Sequence, residues 1–70
     1  MEYLTSFKKN HVVYDLYLNL VTDRFHVAIG GYSTGFRLAV EIEPGVFVFE
    51  TKPGKFTRIP KTTIEKVYSL

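Results

Sequence analysis

The sequence predicts an all-β fold: a small antiparallel meander of five or six strands, curled into a bent sheet or small barrel, with one short C-terminal helical turn. Three observations point there. Glycine and proline fall at short, regular intervals: Gly30-Gly31, Gly35, Pro44-Gly45, Pro53-Gly54 and Pro60. Between these marks lie brief runs rich in Val, Ile, Phe, Tyr and Thr, the residues that suit a pleated surface. The chain has 70 residues, 46% of them hydrophobic and 23% charged, which makes it one domain over 1–70 with no room for a second.

The elements follow in order. Residues 3–7 read as a short edge strand. Residues 12–21 fit two patterns. As a strand, Val12, Tyr14, Leu16, Leu18 and Leu20 share a face; as a helix, Val12, Val13, Leu16, Tyr17, Leu20 and Val21 form a stripe. The β-branched and aromatic content favours strand. So does the alternation of Phe25, Val27 and Ile29 that follows a turn near Thr22-Asp23. Residues 30–35 read as a flexible inter-strand loop. Residues 36–43 show the sharpest alternation, with Phe36, Leu38, Val40 and Ile42 on one face and Arg37, Ala39, Glu41 and Glu43 on the other. The expectation is a single strand with its apolar face on the core. A tight turn at Pro44-Gly45 that pairs 43 with 46 would set Phe47 opposite Ile42 and Phe49 opposite Val40.

Beyond Pro53-Gly54, Phe56 and Ile59 differ in parity, so either a bulge intervenes or both faces meet apolar groups. Pro60 ends the strand. Thr62 and Glu65 have capping-box spacing, and Ile64, Val67 and Tyr68 fit one helical face, giving a helical turn that leads toward a short last strand. No repeat, low-complexity stretch or linker stands out.

Residues 46–68 run strand, turn, strand, proline, helical turn, apolar end. In this order they resemble the closing half of SH3-like and Sm-like small barrels. The chain has neither the acidic Tyr-rich ligand loop of the first nor the Gly-Asn RNA pocket of the second. The resemblance therefore implies a fold and no ligand.

Composition excludes several functions. There is no cysteine, hence no disulfide framework and no thiolate metal site. The apolar content argues against a disordered chain. No apolar run is long enough to span a membrane, and Met1-Glu2-Tyr3-Leu4 lacks the basic start of a signal peptide, so no membrane association and a cytoplasmic location are expected. The only histidines, His11 and His26, lack ligand spacing and fall far apart on the expected hairpin. No metal and no cofactor are expected. Ser6, Ser33 and Ser69 stand in no nucleophile-elbow pattern, and Gly30 to Gly35 lacks the Gly-Lys-Ser/Thr end of a phosphate loop. A core that uses most side chains leaves little with which to build a catalytic pocket, so the chain is expected not to be an enzyme.

Charge is the one uneven feature. Residues 1–50 carry four bases and six acids. Residues 51–70 carry five bases, Lys52, Lys55, Arg58, Lys61 and Lys66, against Glu65 alone. These bases bracket Phe56, and with Pro53-Gly54 as a tight turn Arg58 would lie opposite Phe49. Cations on phosphate and an aromatic on a base are the chemistry of single-strand binding; lysines on edges and turns also serve solubility alone. The reading ranked first is a small binding module acting through protein–protein contacts, as a regulatory or inhibitory subunit, with surface aromatics such as Tyr14, Tyr17 or Tyr32 or an edge strand as the contact. Nucleic-acid binding through Lys52, Lys55, Phe56, Arg58 and Lys61 comes second. Self-assembly as a homo-oligomer is compatible with both, because a domain this small and this aromatic gains stability from a partner.

Overall fold

The computed structural model describes residues 1–31 and 35–69. Seven strands and one helix are assigned among them, in the order β1 (Glu2–Lys9), β2 (Val12–Asn19), β3 (Arg24–Ile29), β4 (Arg37–Leu38), β5 (Val40–Glu43), β6 (Val46–Lys52), β7 (Lys55–Arg58) and α1 (Lys61–Tyr68). The fold is all-β with a short C-terminal helix, as expected. The strands form two antiparallel sheets, β1-β2-β3-β4 and β5-β6-β7, and no closed barrel is present among the described residues. The strand reading of residues 12–21 holds over Val12–Asn19. β1 is an edge strand, longer than expected at eight residues. The C-terminal turn is a full eight-residue helix, and the described chain after it contains no strand.

Each hairpin obeys its turn. Asn10 and His11 both have positive φ, 49° and 66°, the requirement of a primed turn whose twist matches its strands. Register then runs unbroken from Lys9↔Val12 to Thr5↔Leu16. The turn after β2 is held by Asn19, whose Oδ1 accepts the N–H groups of Val21 and Thr22 at 3.0 and 3.2 Å. Beyond it, Leu18 pairs with Phe25 and Leu16 with Val27. Leu20, expected on the apolar face, belongs instead to this turn and is exposed.

The other two turns behave differently. Proline fixes φ near −65°, so a turn with Pro at its first central position cannot be primed. Gly45 and Gly54, the second central residues, take φ of 79° and 78°, giving the Pro-Gly arrangement of a type II turn, which splays the strands. Register slips by one residue at once in both hairpins, between Glu41 and Glu43 and between Glu50 and Lys52. In both, a glutamate four residues before the glycine accepts its N–H: Glu41 Oε2 from Gly45 at 2.8 Å, and Glu50 Oε2 from Gly54 at 2.7 Å. The shared motif, Glu-x-x-Pro-Gly at 41–45 and 50–54, is a nine-residue repeat that composition and punctuation did not reveal.

A one-residue slip turns every side chain to the other face; these slips and a bend at Ala39 together overturn three expectations. First, Phe47 opposes Glu41 and Val48 opposes Val40, instead of the Phe47–Ile42 and Phe49–Val40 pairs. Second, residues 36–43 are not one strand. The chain bends at Ala39, which is buried and donates its N–H to Phe25 at 2.9 Å, passing from the first sheet to the second. The apolar set Leu38, Val40 and Ile42 faces out. Third, Arg58 opposes Val48, not Phe49, so cation and ring do not share a face.

The core lies between the two sheets and under the helix. It comprises Phe7, Leu16, Val27, Ala39, Phe47, Phe49, Ile59 and Ile64. Phe49 meets Phe7 and Tyr14 edge-on, with ring centroids 5.9 and 5.0 Å apart, and Phe25 meets Phe47 at 5.2 Å. The parity puzzle of Phe56 and Ile59 resolves without a bulge between them: Ile59 points into the core and Phe56 points away. The helix starts at Lys61, with Pro60 at its N-cap and no side-chain cap, so the Thr62–Glu65 capping box does not form.

Candidate interaction surface

The outer face of β5-β6-β7 is the most distinctive surface of the molecule. β6 alternates Phe47 and Phe49 inward with Val46, Val48 and Glu50 outward. The registers set Val40, Val48 and Arg58 in one row, and Glu50 and Phe56 in the next. On this sheet Val40, Ile42 and Phe56 are 45%, 55% and 59% exposed, with half-buried Val46 and Val48 between the flanking strands; exposed Leu38 belongs to β4 of the first sheet. A strand reads apolar on one face because that face is covered; here the uncovered face is the apolar one. Contiguous patches of this kind mark contact sites.

The six residues singled out from sequence distribute unevenly. Phe56 and Arg58 stand on this face as neighbours two apart on β7. Lys52 and Lys55 pair with each other at the mouth of the β6–β7 turn. Lys61 opens the helix, two residues beyond Ile59. Tyr32 lies outside the described residues. Lys9, on the β1–β2 hairpin, donates from Nζ to the Arg58 carbonyl at 3.1 Å, which brings a further cation to the end of β7. Sequence reading had left the position of that hairpin open. Of the aromatics considered as surface contacts, Tyr14 is a core-packing residue, stacked on Phe7 with centroids 5.4 Å apart.

A second surface crosses the first sheet, and sequence reading missed it. Tyr3, Tyr17, His26 and Leu38 are successive cross-strand partners and so form one outward row. Tyr17 meets Tyr3 and Phe36 edge-on, at 5.8 and 5.0 Å. The Tyr3 hydroxyl donates to Ser6 Oγ at 2.7 Å, because Ser6 uses its own proton on Asp15 Oδ1, also at 2.7 Å. Asp15 Oδ2 accepts the N–H of Gly31 at 3.3 Å, tying the loop start to the sheet. The rings are packed on one another rather than splayed open, so this row reads as a braced surface.

Two open concavities complete the picture. One, of about 540 Å³, is lined by Tyr14, Val27, Ile29, Arg37 and Phe49 among others; the second, of about 740 Å³, lies between the helix and both sheets, against Phe25, Phe47, Val67 and Tyr68. Arg37 spends Nε on the Glu50 carbonyl and a terminal nitrogen on the Gly35 carbonyl, so it acts as a brace between the sheets. Neither histidine lines either concavity. His26 sits opposite Tyr17 and His11 six residues along the same hairpin, about 20 Å away at ~3.3 Å per residue. No group of three or more His, Cys, Asp or Glu that could hold a metal ion occurs among the described residues. No helix among them is long and apolar enough to cross a membrane. No protein-family model, curated protein or solved structure matches this chain.

Proposed function

We propose that the protein is a small non-enzymatic binding module that acts in the cytoplasm through protein–protein contacts, as a regulatory or inhibitory subunit. The outer face of β5-β6-β7 is its docking surface. One observation carries this reading: Val40, Ile42 and Phe56 stand exposed on the outer side of β5-β6-β7, around half-buried Val46 and Val48. Apolar and aromatic groups at the centre of a patch, with charges at its rim, are the anatomy of a protein interface. The test compares immobilised wild type with a Val40→Asp/Ile42→Asp variant of verified fold. A specific protein retained by wild type at high salt and lost by the variant supports the reading. Equal retention by both refutes it.

A second reading, nucleic-acid binding, draws on Lys9 as well as on the charge count. Lys9, Arg58 and Lys61 gather where the first hairpin meets the end of β7, and Lys52 and Lys55 extend the set along the β6–β7 hairpin. Phe56 would supply the stacking ring. Affinity for single-stranded RNA or DNA that falls steeply with salt, and weakens on Arg58→Ala, favours this reading; binding that ignores salt rejects it.

A further inference from the structure

We propose that the occupant of the β5-β6-β7 face is a second copy of this chain, packed face to face about a two-fold axis parallel to β6. The inference rests on the docking reading above and names its partner. The argument is charge complementarity. On this face edge strand β5, Val40–Glu43, presents the acid Glu43, the partner of outward Val46, whereas Glu41 pairs with inward Phe47. On the same face edge strand β7, Lys55–Arg58, presents the base Arg58, the partner of outward Val48. Between them β6 presents Val46 and Val48, with Glu50 at one end of the face, where an axis along β6 sets it beside its own copy and weakens the association.

Two in-plane two-fold axes bring such faces together. An axis across the strands lays β5 on its own copy, acid on acid and base on base. An axis along β6 lays β5 on the partner's β7. It keeps each cross-strand row in place, so Val40 meets the side of the row that holds Arg58. Phe56 meets the end that continues from Val40 toward Leu38. Glu43, one row away, comes within reach of the long Arg58 side chain. Each favourable pair then occurs twice, as an isologous interface requires. Aligned sheets pack about 10 Å apart with this geometry.

Size sets the strength. One face of a three-stranded sheet falls short of the ~800 Å² per partner of a standard interface, so association is weak, with a Kd of about 10 μM to 1 mM. Sedimentation of wild type across that range is expected to show a monomer passing to a dimer. Val40→Asp/Ile42→Asp is expected to abolish the dimer while circular dichroism stays unchanged. Arg58→Glu alone and Glu43→Lys alone are each expected to weaken it about tenfold, through two like-charged contacts per dimer. Mixed in equal amounts, these two variants are expected to pair with each other at close to wild-type strength, because both contacts between positions 43 and 58 are then opposite in sign. The proposal is overturned by a wild type that stays monomeric to 1 mM. It is also overturned by a dimer that survives Val40→Asp/Ile42→Asp, or by a mixture no stronger than its parts. Loss of the second copy leaves the docking reading standing if a different protein is retained by wild type and lost by Val40→Asp/Ile42→Asp. If no protein distinguishes the two, both fall.

Discussion

Ala39 and Val40 are adjacent, and sequence periodicity and structure assign them opposite faces. Ala39 lies among the charged residues of its alternation, yet it is 7% exposed and bonded to Phe25. Val40 lies among the apolar ones, yet it is 45% exposed. Replacing each with aspartate tests the assignment directly. Ala39→Asp places an unpaired carboxylate among Phe47, Phe49 and their neighbours, which costs about 3–5 kcal/mol. At ~0.05–0.15 kcal/mol per residue, a domain of this length has only roughly 4–10 kcal/mol in hand. That variant should melt about 12–40 °C lower, or not fold, at 4–8 °C per kcal/mol. Val40→Asp loses about half of a ~1.5 kcal/mol burial and some strand preference, near 1 kcal/mol in all and about 4–8 °C. Urea titration followed by circular dichroism gives both values. It should be run at low micromolar concentration, so that association adds nothing to apparent stability. A costly Val40→Asp beside a tolerated Ala39→Asp would show that β5 faces the other way, and the docking surface would vanish with it.

Two further expectations concern the turns. His11 holds a left-handed conformation that costs about 1–2 kcal/mol, so His11→Gly should relieve more strain than the ~0.5–1 kcal/mol of chain entropy it adds. Thermal melting should rise by a few degrees; a fall would mean the imidazole makes a contact worth more than its strain. Glu41→Ala and Glu50→Ala each remove a charge-assisted bond to a turn glycine, for a loss of about 1–2 kcal/mol apiece on exposed sites. Equal losses in denaturant midpoints would confirm that the two turns are built alike, and no loss in either would show that the prolines alone hold the bulges.

Much of the fold could be read directly, because period-two alternation and turn residues act locally. The β2–β3 hairpin, the helix near Ile64 and the inward Phe47 and Phe49 follow from such local signals. What failed was register, and for a definite reason. A tight turn at Pro44-Gly45 or Pro53-Gly54 gives the first pair, 43 with 46 or 52 with 55, but the fixed φ of proline rules out the primed turn that would carry this register onward, and a bulge follows in each hairpin. The signal was present in the dipeptides themselves. The bend at Ala39 is different in kind: one buried alanine joins two sheets, and only the packing of Phe25, Phe47 and Phe49 around it makes that the economical route. At the site, Phe56 and Arg58 could be found from charge and aromatic spacing. The role of Leu38, Val40 and Ile42 could not, because an apolar stripe is taken as core until its register is known. The Tyr3–Tyr17–His26–Leu38 row needed three registers at once.

The repeat explains why one sheet should be apolar on both sides. Glu41 pairs with Phe47 in the first hairpin, and Glu50 pairs with Phe56 nine residues later in the second. Both motifs carry the same bulge and the same glutamate-to-glycine bond. Nine is odd, and the strand between the two turns alternates faces, so the second copy of the motif presents its ring on the side opposite the first. Phe47 enters the core and Phe56 leaves it. The strand the hairpins share, Val46-Phe47-Val48-Phe49, is in consequence an unbroken apolar run. Such runs belong to strands covered on both faces. The first sheet and the helix cover one of them. In a domain with so small a core, leaving the other bare is a standing cost in solubility, and a partner seated on the second face removes it.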